Sequence, residues 1–385
     1  MENEEEKSQE ERIEELCQKI FGKPSKDVKY VMATNYIHHQ LLQEELARTG
    51  LYQWLNVFRG HVKYPKEITD YNDYDIVQVN LSAQDVHIIG DIRSKLGKNS
   101  KTKLVVNNDY TTEAWGQAFE YLSTLEREVQ GADLYFGTEY YQTSALTELV
   151  GKKCFVIPHP ADVKRLKSLP KVPQKNIIST IWRRYDNFSY VPSLAVRNQG
   201  MTTQLIGYDA NRDRRKYLTT TLYDFVLLGT NYFEFCDQLA ESKIIYDPFT
   251  FHSYSRTTVD TAALGVAVVG SNRTQSANIC YPYTTIDPYD ITKARELISK
   301  LLTDEDFYKK VVDTAKEKSE YYSHINSKER YLQALYESLN TKDEKKKGIE
   351  RGELVKGRGD DVLISVGKQV NRDEKTKEDK RENIQ

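Results

Sequence analysis

Short apolar runs punctuate the chain, each followed by a polar turn and then by a stretch with helical spacing. Val28–Ala33, Trp54–Phe58, Asp75–Asn80, Lys103–Asn107, Ala132–Phe136 and Lys153–Ile157 read as strands, because they are too short for core helices and are bounded by turn formers. Between them, Gln40–Arg48, Asp85–Leu96, Thr111–Gln130 and Thr143–Val150 carry helical periodicity, with Gly50, Gly97 and Gly131 as stop signals. Pro158-His159-Pro160-Ala161-Asp162 breaks the pattern, and a segment rich in Pro and Lys follows. The alternation then restarts. Asn176–Ile181, Thr203–Ile206, Phe225–Leu228, Lys243–Tyr246, Val266–Val269 and Tyr283–Ile286 are expected strands. Val191–Asn198, Tyr232–Ser242, Ser255–Leu264, Asp290–Thr303, Asp304–Tyr322 and Ser327–Leu339 are expected helices.

Strands that alternate with helices predict parallel sheets covered on both faces. The fold class is therefore α/β, with two doubly wound parallel-sheet domains. The expected division is an acidic segment at 1–26, a first sheet domain at 27–163, a linker at 164–175, a second sheet domain at 176–325, a final helix at 326–340 and a charged tail at 341–385. Ile13, Leu16, Cys17 and Ile20 share one helical face, so the end of the acidic segment should dock on the body. The tail loses its aromatics and reads as disordered.

Composition narrows this picture. The 385 residues are 39% hydrophobic and 29% charged, and the net charge of -2 offers no global basic field for nucleic acid or anionic lipid. Mean hydropathy is -0.67, no apolar run is long enough to span a bilayer, and the first residues, MENEEEKSQEE, do not resemble a signal peptide. Cys17, Cys154, Cys236 and Cys280 stand far apart, without a metal-binding pair, and read as thiols in a reducing compartment. A cytoplasmic protein is expected, with peripheral attachment to a membrane left open.

Candidate chemistry gathers at strand exits, where ligands bind in open parallel sheets. Lys243–Ser271 has the length and pattern of one strand–loop–helix–strand unit, and its turn carries Ser255, Arg256, Thr257 and Thr258, residue types that hold phosphate at a helix start. His38 and His39 follow the first strand, Asp109 the fourth and Glu139 the fifth, while His159 lies in the interdomain break. A histidine or carboxylate in such a place can serve as a base. No Asp-x-Asp occurs at a believable strand end, so no metal is expected.

Three segments carry a family resemblance. Val156–Asp162, VIPHPAD, resembles the Val-Ile-Pro-Asn-Gly-Val-Asp segment closing the N-terminal domain of GT-B nucleotide-sugar glycosyltransferases of the group 1, or family 4, type. Gly131–Tyr141, GADLYFGTEYY, resembles that family's Ala-Asp-x-ϕ-ϕ-x-x-Ser/Thr-Glu strand. Val259–Val269 resembles its donor segment, ϕ-Glu-Ala-ϕ-Ala-ϕ-Gly-ϕ-Pro-Val-ϕ. Asn35–Gly50 also resembles a variant found in some bacterial and phage-type members. The likeness covers about residues 28–335.

The resemblance implies two Rossmann-like domains facing a cleft, and sugar transfer from a UDP- or GDP-sugar without a metal or other cofactor. The acceptor, whether glycan, lipid, protein or nucleic acid, and the oligomeric state are not implied. Arg183 and Arg184 lie where the family keeps a phosphate-binding basic residue, although its following Lys is missing. Asp260 stands at the ribose-binding Glu of the family's Glu-x7-Glu pair, and His252 stands at the first Glu. That departure leaves donor-sugar contacts and stereochemistry open. A nucleotide-sugar 2-epimerase and a degenerate sugar-nucleotide-binding scaffold remain alternatives. A phage-type DNA-base glucosyltransferase is another, with Arg212, Arg214, Arg215 and Lys216 as its short basic cluster.

Overall fold

The aliphatic runs of the first half form six parallel strands: β1 (Tyr30–Ala33), β2 (His61–Lys63), β3 (Ile76–Leu81), β4 (Lys103–Asn108), β5 (Leu134–Gly137) and β6 (Phe155–Val156), in the order β2-β1-β3-β4-β5-β6. The computed structural model describes residues 7–37, 42, 49–82, 85–97, 99–111, 113, 122–182, 190–207, 222–228 and 230–341. These lie in one compact unit. Ile76, Val77, Val79 and Leu81 of β3 and Leu104, Val105 and Val106 of β4 are fully buried. Burial on both faces explains why these strands read as continuous apolar runs rather than alternating ones. Each such side chain contributes roughly 1.5–3 kcal/mol of transfer free energy.

The second sheet holds β7 (Lys175–Ile181), β8 (Thr202–Gly207), β9 (Phe225–Leu228), β10 (Ser242–Asp247), β11 (Ala267–Ser271) and β12 (Thr285–Ile286), in the order β12-β11-β10-β7-β8-β9. Its pairings are also parallel. The chain winds outward from β7 to β9, then returns to the other side of β7 as β10. That reversal opens a crevice between the exits of β7 and β10, the position where doubly wound sheets bind ligands. In the first sheet the same reversal falls between β1 and β3.

Three local expectations are corrected. Trp54–Phe58 is not a strand but part of a helix, Gln53–Phe58, ended by Arg59 at φ 52°. Its residues are apolar on nearly every side because Trp54, Leu55, Val57 and Phe58 are all buried, so periodicity was silent there. The start of the Pro- and Lys-rich linker is ordered as a helix, Val163–Ser168, capped by the Asp162 carboxylate accepting from Arg165 N. A helix at Gln275–Cys280 follows β11, where none was expected.

The final helix, His324–Asn340, packs against elements of the first sheet's domain. Its Tyr331 is fully buried among Trp54, Phe58 and Phe136, with ring centroids 5.0, 5.0 and 5.6 Å away. Against the same helix lies Gln9–Phe21, which buries Ile13, Leu16 and Cys17 as their spacing predicts. Arg12 and Gln9 both reach Glu329. Apart from Leu42, the expected helix Gln40–Arg48 lies outside the described residues, as does the tail at 342–385.

Candidate active site

The donor-side turn is built on the exit of β10. Asp247 ends that strand, is almost fully buried, and accepts from Ser255 Oγ and Thr258 Oγ1, each at 3.1 Å. The two hydroxyls are themselves 2.8 Å apart. Ser255 has φ 57° and ψ 88°, a left-handed conformation that a non-glycine residue adopts at a cost of order 1–3 kcal/mol. Its carbonyl is held by Ser276 Oγ at 2.9 Å. The strained residue is thus fixed on both sides, and the helix Arg256–Leu264 begins directly after it. Ser255 and Thr258, which sequence placed against phosphate, hold Asp247 here. Thr257 is buried in the same first turn.

Arg256 and Asp260 stand one helical turn apart. Arg256 Nε donates to Asp260 Oδ1 at 2.6 Å, and Tyr232 Oη donates to Asp260 Oδ2 at 2.8 Å. Arg256 Nη2 in turn reaches Tyr232 Oη at 2.9 Å. The Asp260 side chain is 1% exposed and that of Arg256 14% exposed. Burial pushes the Asp260 carboxyl upward while Arg256 and Tyr232 pull it back. For Arg256, burial opposes the charge but Asp260 outweighs it, so the guanidinium is held well above its ordinary range and stays charged. Tyr232 opens the helix after β9 and was not singled out in the sequence, where no local spacing joins it to a residue 28 positions away.

Across the cleft, residues of the first domain meet this turn. His252 Nδ1 lies 2.9 Å from Glu113 Oε1, and its amide donates to the same oxygen at 3.2 Å. The His252 ring rests 4.0 Å from that of Tyr141, which is half exposed. Asp109, beyond the end of β4, lies 2.9 Å from His159 Nε2, with 41% of its own side chain exposed. Glu139 is buried rather than open to the cleft. It caps the helix Tyr140–Val150 by accepting from the amides of Tyr141 and Gln142. Burial raises its carboxyl, and the two amides lower it in part. His38, His39, Arg183 and Arg184 lie outside the described residues.

At the crevice of the first sheet, Asp85 accepts from Thr34 Oγ1 at 2.8 Å, Asn35 N at 2.6 Å and Ser82 Oγ at 3.1 Å. It ties the β1 exit loop to the β3 exit. A cavity of about 910 Å³ opens at the other edge of the second sheet, lined in part by Arg197, Thr203, Tyr223 and Asp224, away from the residues above. Among the described residues there is no cluster of three His, Cys, Asp or Glu suited to a metal, and no helix long and apolar enough to cross a membrane.

No family model matches the chain, and no curated protein matches it by sequence. Solved structures do match. HepE of Anabaena in complex with UDP superposes with a TM-score of 0.60 at 13% identity, covering 80% of this chain and 100% of that one. Sucrose-phosphate synthase of Thermosynechococcus elongatus gives 0.60 at 12% identity, covering 82% and 100%. An alpha-glucosyltransferase in complex with UDP and a 13-mer DNA gives 0.55 at 13% identity, covering 80% and 98%. The shared architecture is GT-B: two Rossmann-like parallel-sheet domains, as the chain pattern predicts.

Proposed function

We propose that the chain is a hexosyltransferase that moves a sugar from a UDP- or GDP-sugar to an acceptor hydroxyl without a bound metal. The observation that carries this reading is the Arg256–Asp260–Tyr232 assembly at the β10 exit, beside the ligand-binding crevice of the second sheet. It is supported by the likeness of the fold to proteins solved with UDP. Breaking the bond between sugar and diphosphate leaves negative charge on the phosphate, which a preorganised cation in a desolvated site stabilises strongly. Asp260 and Tyr232 hold the guanidinium before any donor arrives. In this reading Asp260 orients Arg256, and the first-turn amides of the helix face the diphosphate. Arg183 and Arg184, which come directly after β7 and Trp182 in the sequence, are the further cations that the family resemblance proposes for the phosphate.

The acceptor occupies the wall formed by the first domain. Asp109 receives the hydrogen bond of the acceptor hydroxyl, and His38 and His39, which follow β1 in the sequence, remain further candidates for a base. The His252–Glu113 contact joins the donor turn to that wall, so both substrates share one enclosed site. A cytoplasmic setting suits the four cysteines, which are free.

The test is to titrate the protein with UDP and GDP by calorimetry, and to incubate it with labelled UDP- and GDP-sugars alone and with glycan or DNA acceptors. Nucleotide binding with sugar release or transfer is expected. An altered sugar nucleotide would establish an epimerase, and binding without turnover a scaffold. Absence of any nucleotide binding would overturn the donor-site assignment altogether.

A further inference from the structure

His159 lies between β6 and the helix Val163–Ser168, and its side chain is 2% exposed. Both ring nitrogens are engaged. The Trp54 indole N–H donates to Nδ1 at 3.1 Å, and Nε2 lies 2.9 Å from Asp109 Oδ1. An indole nitrogen can only donate, so Nδ1 must present a lone pair and the proton must reside on Nε2. The imidazole is therefore neutral and directs one N–H at the carboxylate. Its surroundings leave the ring little freedom. Tyr254 packs edge-on at 5.7 Å, and a Cβ at Gly50 would stand 2.8 Å from His159 Cβ. Asp109, by contrast, is 41% exposed.

We infer that His159 is a positioning residue for glycosyl transfer. Trp54 selects its Nε2–H tautomer, and that N–H holds one oxygen of Asp109 so that the carboxylate is fixed in orientation and offers its other oxygen to the acceptor hydroxyl. The inference rests on the reading of Asp109 as a substrate contact. Its geometric basis spans three elements: the helix bearing Trp54, the exit of β4 and the interdomain segment. Tyr254, two residues before the helix start of the donor turn, closes the fourth side.

The experiment compares wild type with His159→Leu, His159→Gln and Asp109→Asn in the full chain. His159→Leu should lower kcat about 10-fold or more, consistent with losing one charge-assisted hydrogen bond, and leave the Kd for UDP unchanged. His159→Gln, whose amide N–H reaches toward the Nε2 position, should restore most of the rate. The effect of His159→Leu should vanish in the Asp109→Asn background. No rescue by His159→Gln, or an equal loss in the Asp109→Asn background, would overturn the inference. Nitrogen-15 spectra of the imidazole supply a readout independent of turnover: an Nε2–H tautomer is expected in wild type. A protonated ring or an Nδ1–H tautomer would sink the proposal even if transfer occurs. Failure of every sugar nucleotide to react, with the Nε2–H tautomer present, would instead count against the assigned reaction.

Discussion

Arg256 illustrates how a buried charge is made usable. Its guanidinium faces one carboxylate that is nearly inaccessible to water and one phenol that completes the ring of bonds. Such a pair is weak evidence of stabilisation, because desolvation offsets most of the attraction. Its value lies in fixed orientation. Removing one partner leaves the other buried and uncompensated, so Arg256→Ala should destabilise the fold by roughly 3–5 kcal/mol in urea titrations. It should also weaken UDP binding about 10-fold or more. The two effects are separable. An Arg256→Met, Asp260→Leu double variant removes both charges and should regain much of the stability, since apolar replacements of buried pairs are often neutral or better. It should not regain nucleotide binding. Recovery of both would show that the pair has no part in holding the donor.

At the level of elements, the helix Tyr140–Val150 is set by Glu139, whose carboxylate satisfies two amides of the first turn. Glu139→Ala should cost about 1 kcal/mol, the usual worth of an N-cap. The pH dependence has a definite sign. Burial raises the Glu139 carboxyl, so the native state binds its proton more tightly than the unfolded chain does. Above the raised value the group imposes a constant penalty. As pH falls through that value toward the unfolded one of about 4.3, this contribution to stability increases. Relative to Glu139→Gln, wild type should therefore gain stability as pH falls through the raised value toward about 4.3, measured as urea midpoints. A relative loss would contradict the assignment.

The same helix shows what a sequence discloses. Glu139 was placed correctly at a strand exit, but spacing cannot tell a carboxylate that caps a helix from one that faces a cleft. The strands β3, β4, β10 and β11 were legible because burial on both faces leaves an uninterrupted aliphatic run. Trp54–Phe58 was not, because a helix buried all round has the same signature as a buried strand. Within the site, Arg256 and Asp260 share a helical face at a spacing that sequence displays directly. Tyr232, Trp54 and His159 meet their partners only through tertiary packing, across 28, 105 and 50 positions.

For the molecule as a whole, the helices Gln9–Phe21 and His324–Asn340 pack on one another on the first sheet's side. His324–Asn340 leaves the second domain and inserts Tyr331 into the aromatic cluster formed by Trp54, Phe58 and Phe136. Tyr331 also donates to Gln78 Oε1 at 3.2 Å, and both groups are fully buried. The cluster contains Trp54, the residue that fixes the His159 tautomer, so the final helix supports the cleft from behind. Tyr331→Ala should therefore act twice. It should cost about 3–5 kcal/mol in stability, as other buried aromatic deletions do, and it should lower turnover by loosening Trp54 against His159. Tyr331→Phe keeps the ring and removes only the hydroxyl, leaving Gln78 without that donor at a cost of about 1–3 kcal/mol. If the helix serves the site through ring packing, Tyr331→Phe retains wild-type kcat while losing stability, and Tyr331→Ala loses both. Equal turnover in the two variants, measured well below their unfolding midpoints, would show that the final helix stabilises the first domain without steering its chemistry.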